Sequence, residues 1–302
     1  NDNAGTWAFG GSPTPQPSMD RAKRVAADFA AIGLSTDRVL DLTSHGADYY
    51  LQRWENPIEV TAIYNLTNRT QEVRAVDRLK ANPAPLSLAS DENNNQDGLS
   101  VSLRAPLIYR YVVESYRPFA CSDGSIWATL GAAKRSNCGV QSTSDKDPEL
   151  WQKAIGAPMN LGLSPASWGS SAAILTALRP VAMTSIAEPT NPRVAGRSVF
   201  IATPTTSATG ASAGVLVLDT SCKSSARRRE ASTVKVSWAN SLHDDSSGPQ
   251  VTARSLGGRL VIPIDGYPDY LLGGGVEKVR LSVPTACRID SAELMQREYV
   301  AQ

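Results

Sequence analysis

The sequence predicts an α/β domain followed by an all-β domain, and two patterns along the chain lead to that prediction. Within residues 19–145, short apolar strands alternate with segments whose apolar residues recur every three or four positions, which is typical of an α/β layer with a mostly parallel sheet. Within residues 146–302, short apolar stretches are separated by Gly, Ser, Asn and Pro, which is typical of an antiparallel β-sandwich. The length of 302 residues suits two domains of ordinary size.

The first domain follows a connector rich in Pro, Gly and Ser at residues 1–18. Its first helix is expected to begin at Ser18 or Asp20 and to end at Gly33, with an apolar stripe on one face. The elements expected after it are strand 39–42, helix 46–54, strand 58–65, helix 72–82, strand 86–90, helix 105–116 and strand 125–130.

The second domain is expected to be a jelly-roll-like, carbohydrate-module-like sandwich, with one weak helical segment at residues 170–178. Its predicted strands are 198–202, 214–219, 233–238, 250–253, 259–264, 276–283 and 288 to the end.

Composition excludes several classes of protein. The 30 basic and 29 acidic side chains nearly cancel, whereas a nucleic-acid binder would carry a net basic field. No apolar run approaches the roughly 20 residues that span a bilayer. The polar beginning lacks the basic segment of a signal peptide, so we expect a mature secreted protein or a piece of a longer chain.

The four cysteines favour an oxidising compartment. Their spacing does not match a zinc motif, and three disulfide pairings are conceivable. We expect Cys121 to pair with Cys138 and Cys222 with Cys287, because each pair lies within one predicted domain. Buried free thiols are the alternative.

The first candidate binding site lies where strand 39–42 leads into the following helix. Asp41, Thr43, Ser44 and His45 supply polar groups there, and the free N–H groups of a helix start bind oxygen-rich ligands. A sugar or a phosphate is the expected ligand, and a capped helix with an exposed histidine is the alternative. Ser44 and His45 are adjacent in sequence, which disfavours a serine hydrolase.

The second candidate site lies at the end of strand 233–238, where Trp238 precedes a polar loop. An exposed indole stacks on the apolar face of a sugar, and neighbouring polar groups bind its hydroxyls. The residues assigned to this site are Trp238, Asn240, His243, Asp244, Tyr267 and Tyr270. A solvated turn around His243 and a Trp238 packed into the core are the alternatives.

One segment resembles the first half of a calcium-binding loop, and no other cofactor is expected. The candidate oxygen ligands are Asp91, Asn93, Asn95 and Asp97. Gln96 stands where such loops need glycine and Ser102 where they need glutamate, so a loop without metal is the default.

The order of several motifs resembles the extracytoplasmic C-terminal region of bacterial GT-C membrane glycosyltransferases, which use polyprenyl-phosphate sugars. The motifs are Leu40-Asp41-Leu42-Thr43-Ser44, Tyr49-Tyr50-Leu51, residues 111–118, residues 258–268 and the strand 276–283. Ser44 stands where the family has Asn. The resemblance implies a periplasmic or extracytoplasmic domain tethered to the inner membrane, with its own membrane-embedded domain and a cell-envelope glycan acceptor as partners.

The resemblance also implies that the chain is not catalytic by itself, because the family's catalytic carboxylate lies near its membrane helices. The expected function is therefore recognition or positioning of a glycan acceptor. A free-standing secreted glycosidase, with two carboxylates about 5 to 9 Å apart, is one alternative. A scaffolding domain without ligand is the other.

Overall fold

The computed structural model describes residues 8–9, 12–13, 16–66, 69–90, 101–130, 138–140, 147–155, 178–181, 183–187, 197–204, 213–222, 233–244, 250–254 and 258–297. It divides into two compact units. The first comprises residues 1–97 and 107–155, and the second comprises residues 98–106 and 156–302. No helix in these ranges is long and apolar enough to cross a bilayer.

The first unit contains helices and one main sheet. Its elements are β1 (Ala8–Phe9), β2 (Ser12–Pro13), α1 (Gln16–Ile32), β3 (Val39–Asp41), α2 (Ala47–Leu51), α3 (Arg69–Ala81), β4 (Leu86–Ser90), α5 (Pro106–Ser115), β5 (Tyr116–Cys121), β6 (Ile126–Leu130), β7 (Gly139–Val140) and α6 (Pro148–Ile155). The short helix α4 (Val101–Arg104) belongs to the second unit.

The main sheet of the first unit has the strand order β3-β4-β6-β5-β7. Only β3 and β4 are parallel, and the other three pairings are antiparallel. The expectation of a mostly parallel sheet is therefore wrong. The reason is β5, which pairs with β6 as a hairpin and was not predicted. It directly follows the helical pattern of residues 105–116 and contains Pro118, and proline is rare inside strands.

The segment predicted as strand 58–65 is also not a strand. It is a series of turns that ends in a 3₁₀ helix, Ile63–Asn65. Asn56 Oδ1 accepts a hydrogen bond from the Ile58 N–H at 3.0 Å, which turns the chain locally. Ile58, Ala62, Ile63 and Leu66 are buried, so the segment contributes apolar side chains to the interior without forming a strand.

The core of the first unit lies between α1 and the sheet. It combines aliphatic side chains such as Val25 with the indoles of Trp54 and Trp127, whose ring centroids are 6.0 Å apart. The predicted Cys121–Cys138 disulfide is confirmed and lies in this core.

The second unit contains two antiparallel sheets. One has the order β13 (Gln250–Arg254), β12 (Thr233–Ala239), β15 (Lys278–Pro284), β10 (Arg197–Pro204) and β9 (Met183–Ala187). The other has the order β14 (Gly258–Pro263), β11 (Ala213–Cys222), β16 (Cys287–Arg297) and β8 (Leu178–Val181). A short helix, α7 (Pro268–Leu272), follows β14. Of the predicted helix 170–178, all but Leu178 lies outside the described residues, and Leu178 begins β8.

Apolar side chains from both of these sheets share one hydrophobic cluster. Leu216 and Leu218 come from β11, whereas Val279 and Leu281 come from β15. Alternation along each strand produces this arrangement, because every second side chain faces the same side. The predicted Cys222–Cys287 disulfide is confirmed and joins opposed positions of β11 and β16.

Candidate functional site

The first candidate site lies at the end of β3 and in the chain that leads to α2. All three residues of β3 are buried, and the Leu42 N–H continues the pairing by donating to Leu88 O at 2.9 Å. Ser44 then takes a left-handed backbone conformation with φ 65°, which turns the chain before α2 begins at Ala47. No side chain caps this five-residue helix, which differs from the capped helix given above as the alternative to a binding site.

The Asp41 carboxyl is the most buried group of this site, with 1% of its surface exposed. Its Oδ1 accepts two hydrogen bonds from Thr43, from the N–H at 2.7 Å and from the hydroxyl at 2.6 Å. Its backbone N–H donates to the Tyr49 hydroxyl at 3.0 Å. Its other oxygen, Oδ2, is buried and has no hydrogen-bond partner among the described residues. An unsatisfied buried acceptor of this kind costs about 1 to 3 kcal/mol.

Thr43 links Asp41 to two cationic or ionisable side chains. Arg21, from α1, donates to Thr43 Oγ1 at 3.0 Å and forms an ion pair with Asp48 at 2.5 Å. His45 Nδ1 lies 3.1 Å from the same Thr43 oxygen. Because the one hydroxyl proton of Thr43 goes to Asp41, His45 must present an N–H at Nδ1 to make this contact a hydrogen bond.

The burial of these groups increases from His45 to Asp41. His45 is half-buried, whereas Thr43 and Asp41 are buried. Burial raises the pKa of Asp41 to about 7, and the negative charge of Asp48 adds to this effect; the Thr43 hydrogen bonds and Arg21 oppose it. The pKa of the Tyr49 hydroxyl is also raised, first by burial and then by the charge of Asp41. Asp41 therefore changes its protonation state near neutral pH.

The second candidate site is arranged differently from the expectation. Trp238 is fully buried, and its ring meets that of Tyr267 edge to face at a centroid distance of 5.3 Å. Tyr270 is buried as well. None of the three rings offers an exposed face, so the expected sugar stacking on Trp238 is replaced by the alternative in which Trp238 packs into the core.

The polar residues after Trp238 form a closed network with α7. Asn240 Nδ2 donates to Asp269 twice, to its backbone oxygen and to Oδ2, each at 3.0 Å. Asn240 Oδ1 accepts the N–H groups of Leu242 and His243. His243 Nε2 lies 2.6 Å from Asp269 Oδ1, and Asp244 is exposed.

This network braces the loop against α7. Burial raises the pKa of Asp269, and His243, Asn240 and the indole N–H of Trp238 oppose that rise, although the indole makes no hydrogen bond of normal geometry. A Cβ on Gly273 would meet Asn240 Nδ2 at 2.2 Å, so the loop and the helix end fit closely. The side chains of Asn240 and His243 thus form contacts within the protein, and a ligand role for them stays a prediction.

Arg21, Asp48 and Asp269 take part in these networks but were missing from the sequence-based set. Arg21 is 27 positions from its ion-pair partner Asp48, and Asp269 is 29 positions from Asn240, so no local pattern reveals either contact. The burial of Trp238, in contrast, could have been predicted from the sequence. Alternation along β12 places it on the same face as Val234 and Val236, both of which are buried.

The four candidate calcium ligands, Asp91, Asn93, Asn95 and Asp97, lie outside the described residues. No known protein-family model matches the chain, and no curated protein shows significant sequence similarity to it.

Proposed function

We propose that the first unit binds a glycan, through the residues that follow β3, and that the chain is a glycan-acceptor recognition region outside the cytoplasm. The observation that supports this best is the buried Oδ2 of Asp41, which has no hydrogen-bond partner in the described part of the chain and lies within a network of hydroxyl, imidazole and guanidinium groups. A ligand hydroxyl would supply the missing partner. A hydroxyl both donates and accepts, so it suits Asp41 in either protonation state near neutral pH.

The charges of the site favour a neutral sugar over a phosphate. Two carboxyl groups, Asp41 and Asp48, face one fixed cation, Arg21, and Arg21 is already paired with Asp48. A phosphate would meet a carboxylate before it met an unpaired cation. In addition, α2 has only five residues and therefore a weak dipole at its start.

Tyr50, which is 70% exposed, is the candidate for stacking against a sugar ring. It lies on α2, next to Tyr49, whose hydroxyl contacts the Asp41 backbone. An exposed aromatic side chain on the same short helix would contribute apolar contact, while Asp41, Thr43 and His45 would contribute polarity. Affinity in the millimolar to micromolar range is expected, since sugar hydroxyls give up good hydrogen bonds to water.

The wider assignment rests on the second unit and on the disulfides. We infer that the two antiparallel sheets, which share one hydrophobic cluster, form a jelly-roll-like sandwich of the carbohydrate-module kind. Two disulfides favour a periplasmic or other extracytoplasmic location. Together with the GT-C-like motif order, they support a domain that is tethered to the inner membrane by a membrane-embedded domain and positions a cell-envelope acceptor.

A secreted glycosidase is the second candidate, and one observation favours it. The Asp41–Thr43–His45 chain of hydrogen bonds orients an imidazole through a hydroxyl and a carboxyl, as general acid–base sites do. Against it, Asp48 is already paired with Arg21, whereas glycoside hydrolysis needs two carboxyl groups that act on the substrate.

Titration of the chain with neutral cell-envelope oligosaccharides, and separately with inorganic phosphate, tests the proposal by NMR. We expect shifts of the amides of residues 39–51 with the oligosaccharide and none with phosphate. Thr43→Val removes the hydroxyl without changing the shape and should weaken binding about tenfold. Thr129→Val is the matched control, because the Thr129 hydroxyl is also buried but has no partner among the described residues.

The other outcomes of this titration separate the alternatives. Equal affinity in Thr43→Val and the wild type would refute the site. Absence of binding by every oligosaccharide would favour a scaffolding domain without ligand. Release of reducing ends during the titration would instead establish a glycosidase.

A further inference from the structure

Asp28 is a buried carboxyl group that the proposed glycan site does not use. It lies on α1 and faces the turn between β5 and β6. Its Oδ2 accepts a hydrogen bond from the Ser125 hydroxyl at 2.5 Å, and that hydroxyl in turn accepts one from the Trp127 indole at 3.1 Å. No Arg, Lys or His of the described residues forms an ion pair with it.

The other oxygen of Asp28 is directed at the Cys121–Cys138 disulfide. Asp28 Oδ1 lies 4.0 Å from Cys138 Sγ, and the carboxylate and both sulfur atoms lie within 4.8 Å of one another. Both cysteines are buried. A disulfide sulfur carries no proton, so the oxidised pair gives this oxygen no hydrogen-bond donor.

The second disulfide has no such neighbour. Cys222 and Cys287 are opposed in β11 and β16 and pack against the hydrophobic cluster of the second unit. Among the described residues, the group of three close ligand atoms formed by Asp28, Cys121 and Cys138 has no counterpart at this second pair. The two disulfides therefore differ in this respect within the described part of the chain, and the second serves as a control for the first.

A buried carboxylate without a cation destabilises a fold, because the charged form loses its hydration. Burial raises the pKa of Asp28, the negative charge of Asp123 adds to the rise, and the hydrogen bond from Ser125 is the largest effect that opposes it. A protonatable group therefore lies 4.0 Å from a sulfur atom that leaves as a thiolate when the disulfide is reduced from the Cys121 side.

We propose that Cys121–Cys138 is a thiol–disulfide exchange site in which Asp28 gives a proton to, and takes one from, the Cys138 sulfur. The co-reactant is a dithiol. One of its thiolates attacks Cys121 Sγ, the S–S bond breaks, and Cys138 leaves as a thiolate that takes the proton of the Asp28 carboxyl. The second thiol of the reductant, as its thiolate, then displaces Cys121.

The electrons and protons balance in this sequence. The dithiol is oxidised to a cyclic disulfide and loses two protons, and Cys121 and Cys138 become two thiols. Cys121 takes its proton from solvent, and Asp28 exchanges its own proton with solvent after it has protonated Cys138. Attack on Cys121 is preferred over attack on Cys138, because Cys138 is then the leaving sulfur and lies beside the carboxyl group that protonates it.

The pH dependence of the reduction equilibrium has a direction that can be measured. In the reduced protein, the Cys138 S–H can donate to the Asp28 carboxylate, which stabilises the ionised form and lowers its pKa relative to the oxidised protein. Reduction then releases a proton. Consequently, reduction of this pair should become more favourable as pH rises through the pKa of Asp28.

The test equilibrates the intact chain with dithiothreitol buffers between pH 5 and 8 and quantifies each cysteine pair by alkylation and mass spectrometry. We expect the reduction equilibrium constant of Cys121–Cys138 to rise about tenfold across this range. The constant of Cys222–Cys287 should stay level. In Asp28→Asn, both constants should stay level.

Ser125→Ala provides a variant that keeps the carboxyl group. Removing the hydroxyl takes away a hydrogen bond that lowers the pKa of Asp28, so the midpoint of the rise should move to higher pH. A level response of Cys121–Cys138 in the wild type, or an unaltered rise in Asp28→Asn, would overturn the proposal. So would a folded chain whose Cys121–Cys138 bond stays oxidised in excess dithiothreitol.

Discussion

Replacing Asp41 by Asn should abolish one specific pH dependence of stability in the first unit. The folded-state pKa of Asp41 is raised to about 7 from an ordinary value of 3.8. The folded chain therefore binds this proton more tightly than the unfolded chain does. Its stabilising contribution is present below pH 3.8 and is lost as pH rises to about 7.

The size of this effect follows from the pKa difference, because one pKa unit corresponds to about 1.4 kcal/mol. The difference for Asp41 amounts to about 4 kcal/mol of unfolding free energy lost between pH 4 and pH 8. Asn has nearly the same shape, and its Oδ1 can still accept both Thr43 hydrogen bonds. We therefore expect Asp41→Asn to match the wild type near pH 4 and to exceed it in stability at pH 8.

Urea unfolding at pH 4, 6 and 8 measures this difference, with hydrogen exchange of β3 and β4 peptides reporting on the first unit separately. Asp77→Asn, an exposed change on α3, is the control and should stay within about 0.5 kcal/mol of the wild type at each pH. A wild-type and an Asp41→Asn chain whose stabilities differ by the same amount at all three pH values would refute the reasoning.

Three further outcomes are expected in the second unit. Gly273→Ala should destabilise the chain, because its Cβ would lie 2.2 Å from Asn240 Nδ2. Thermal unfolding of the double variant with Asn240→Ala should show that part of the lost stability is recovered, and strictly additive losses would contradict this. Trp238→Phe should cost about 1 to 3 kcal/mol in urea titration, because the buried indole fills the core, and should leave oligosaccharide affinity unchanged; a loss of affinity in a folded variant would restore the stacking hypothesis. Replacing Cys222 and Cys287 by Ser should cost about 2 to 4 kcal/mol, measured by urea unfolding, and an unchanged midpoint would contradict the loop-closure argument.

The disulfide pairing could be predicted from sequence because it depends on domain membership alone. Cys121–Cys138 and Cys222–Cys287 each join residues of one unit, with separations of 17 and 65 positions. The same argument could not place Asp28 beside the first pair. That contact depends on how α1 packs on the sheet, and Asp28 is 110 positions from Cys138.

The candidate site after β3 was predicted in part. Asp41, Thr43 and His45 are close in sequence, so the turn that follows a buried strand brings them together. Arg21 could not be found in this way, because its side chain reaches the site only when α1 packs against it. The ionisation of Asp41 also depends on that packing, since burial is the main cause of its raised pKa.

The sequence by itself determined several local elements. Five-residue β4 was predicted with the bounds that it has, and strands were predicted at 233–238 and 276–283, where β12 and β15 lie. These features arise from side-chain periodicity, which acts over a few residues and survives in any arrangement of the strands.

Only the tertiary structure decided which strands pair and which polar groups lose water. The β5–β6 hairpin made the first sheet mostly antiparallel, and Asp269 of α7 contacts both Asn240 and His243. Both outcomes depend on contacts between distant residues. The free energy of such contacts comes from the desolvation and packing of two surfaces against each other, and a local sequence pattern describes only one of them.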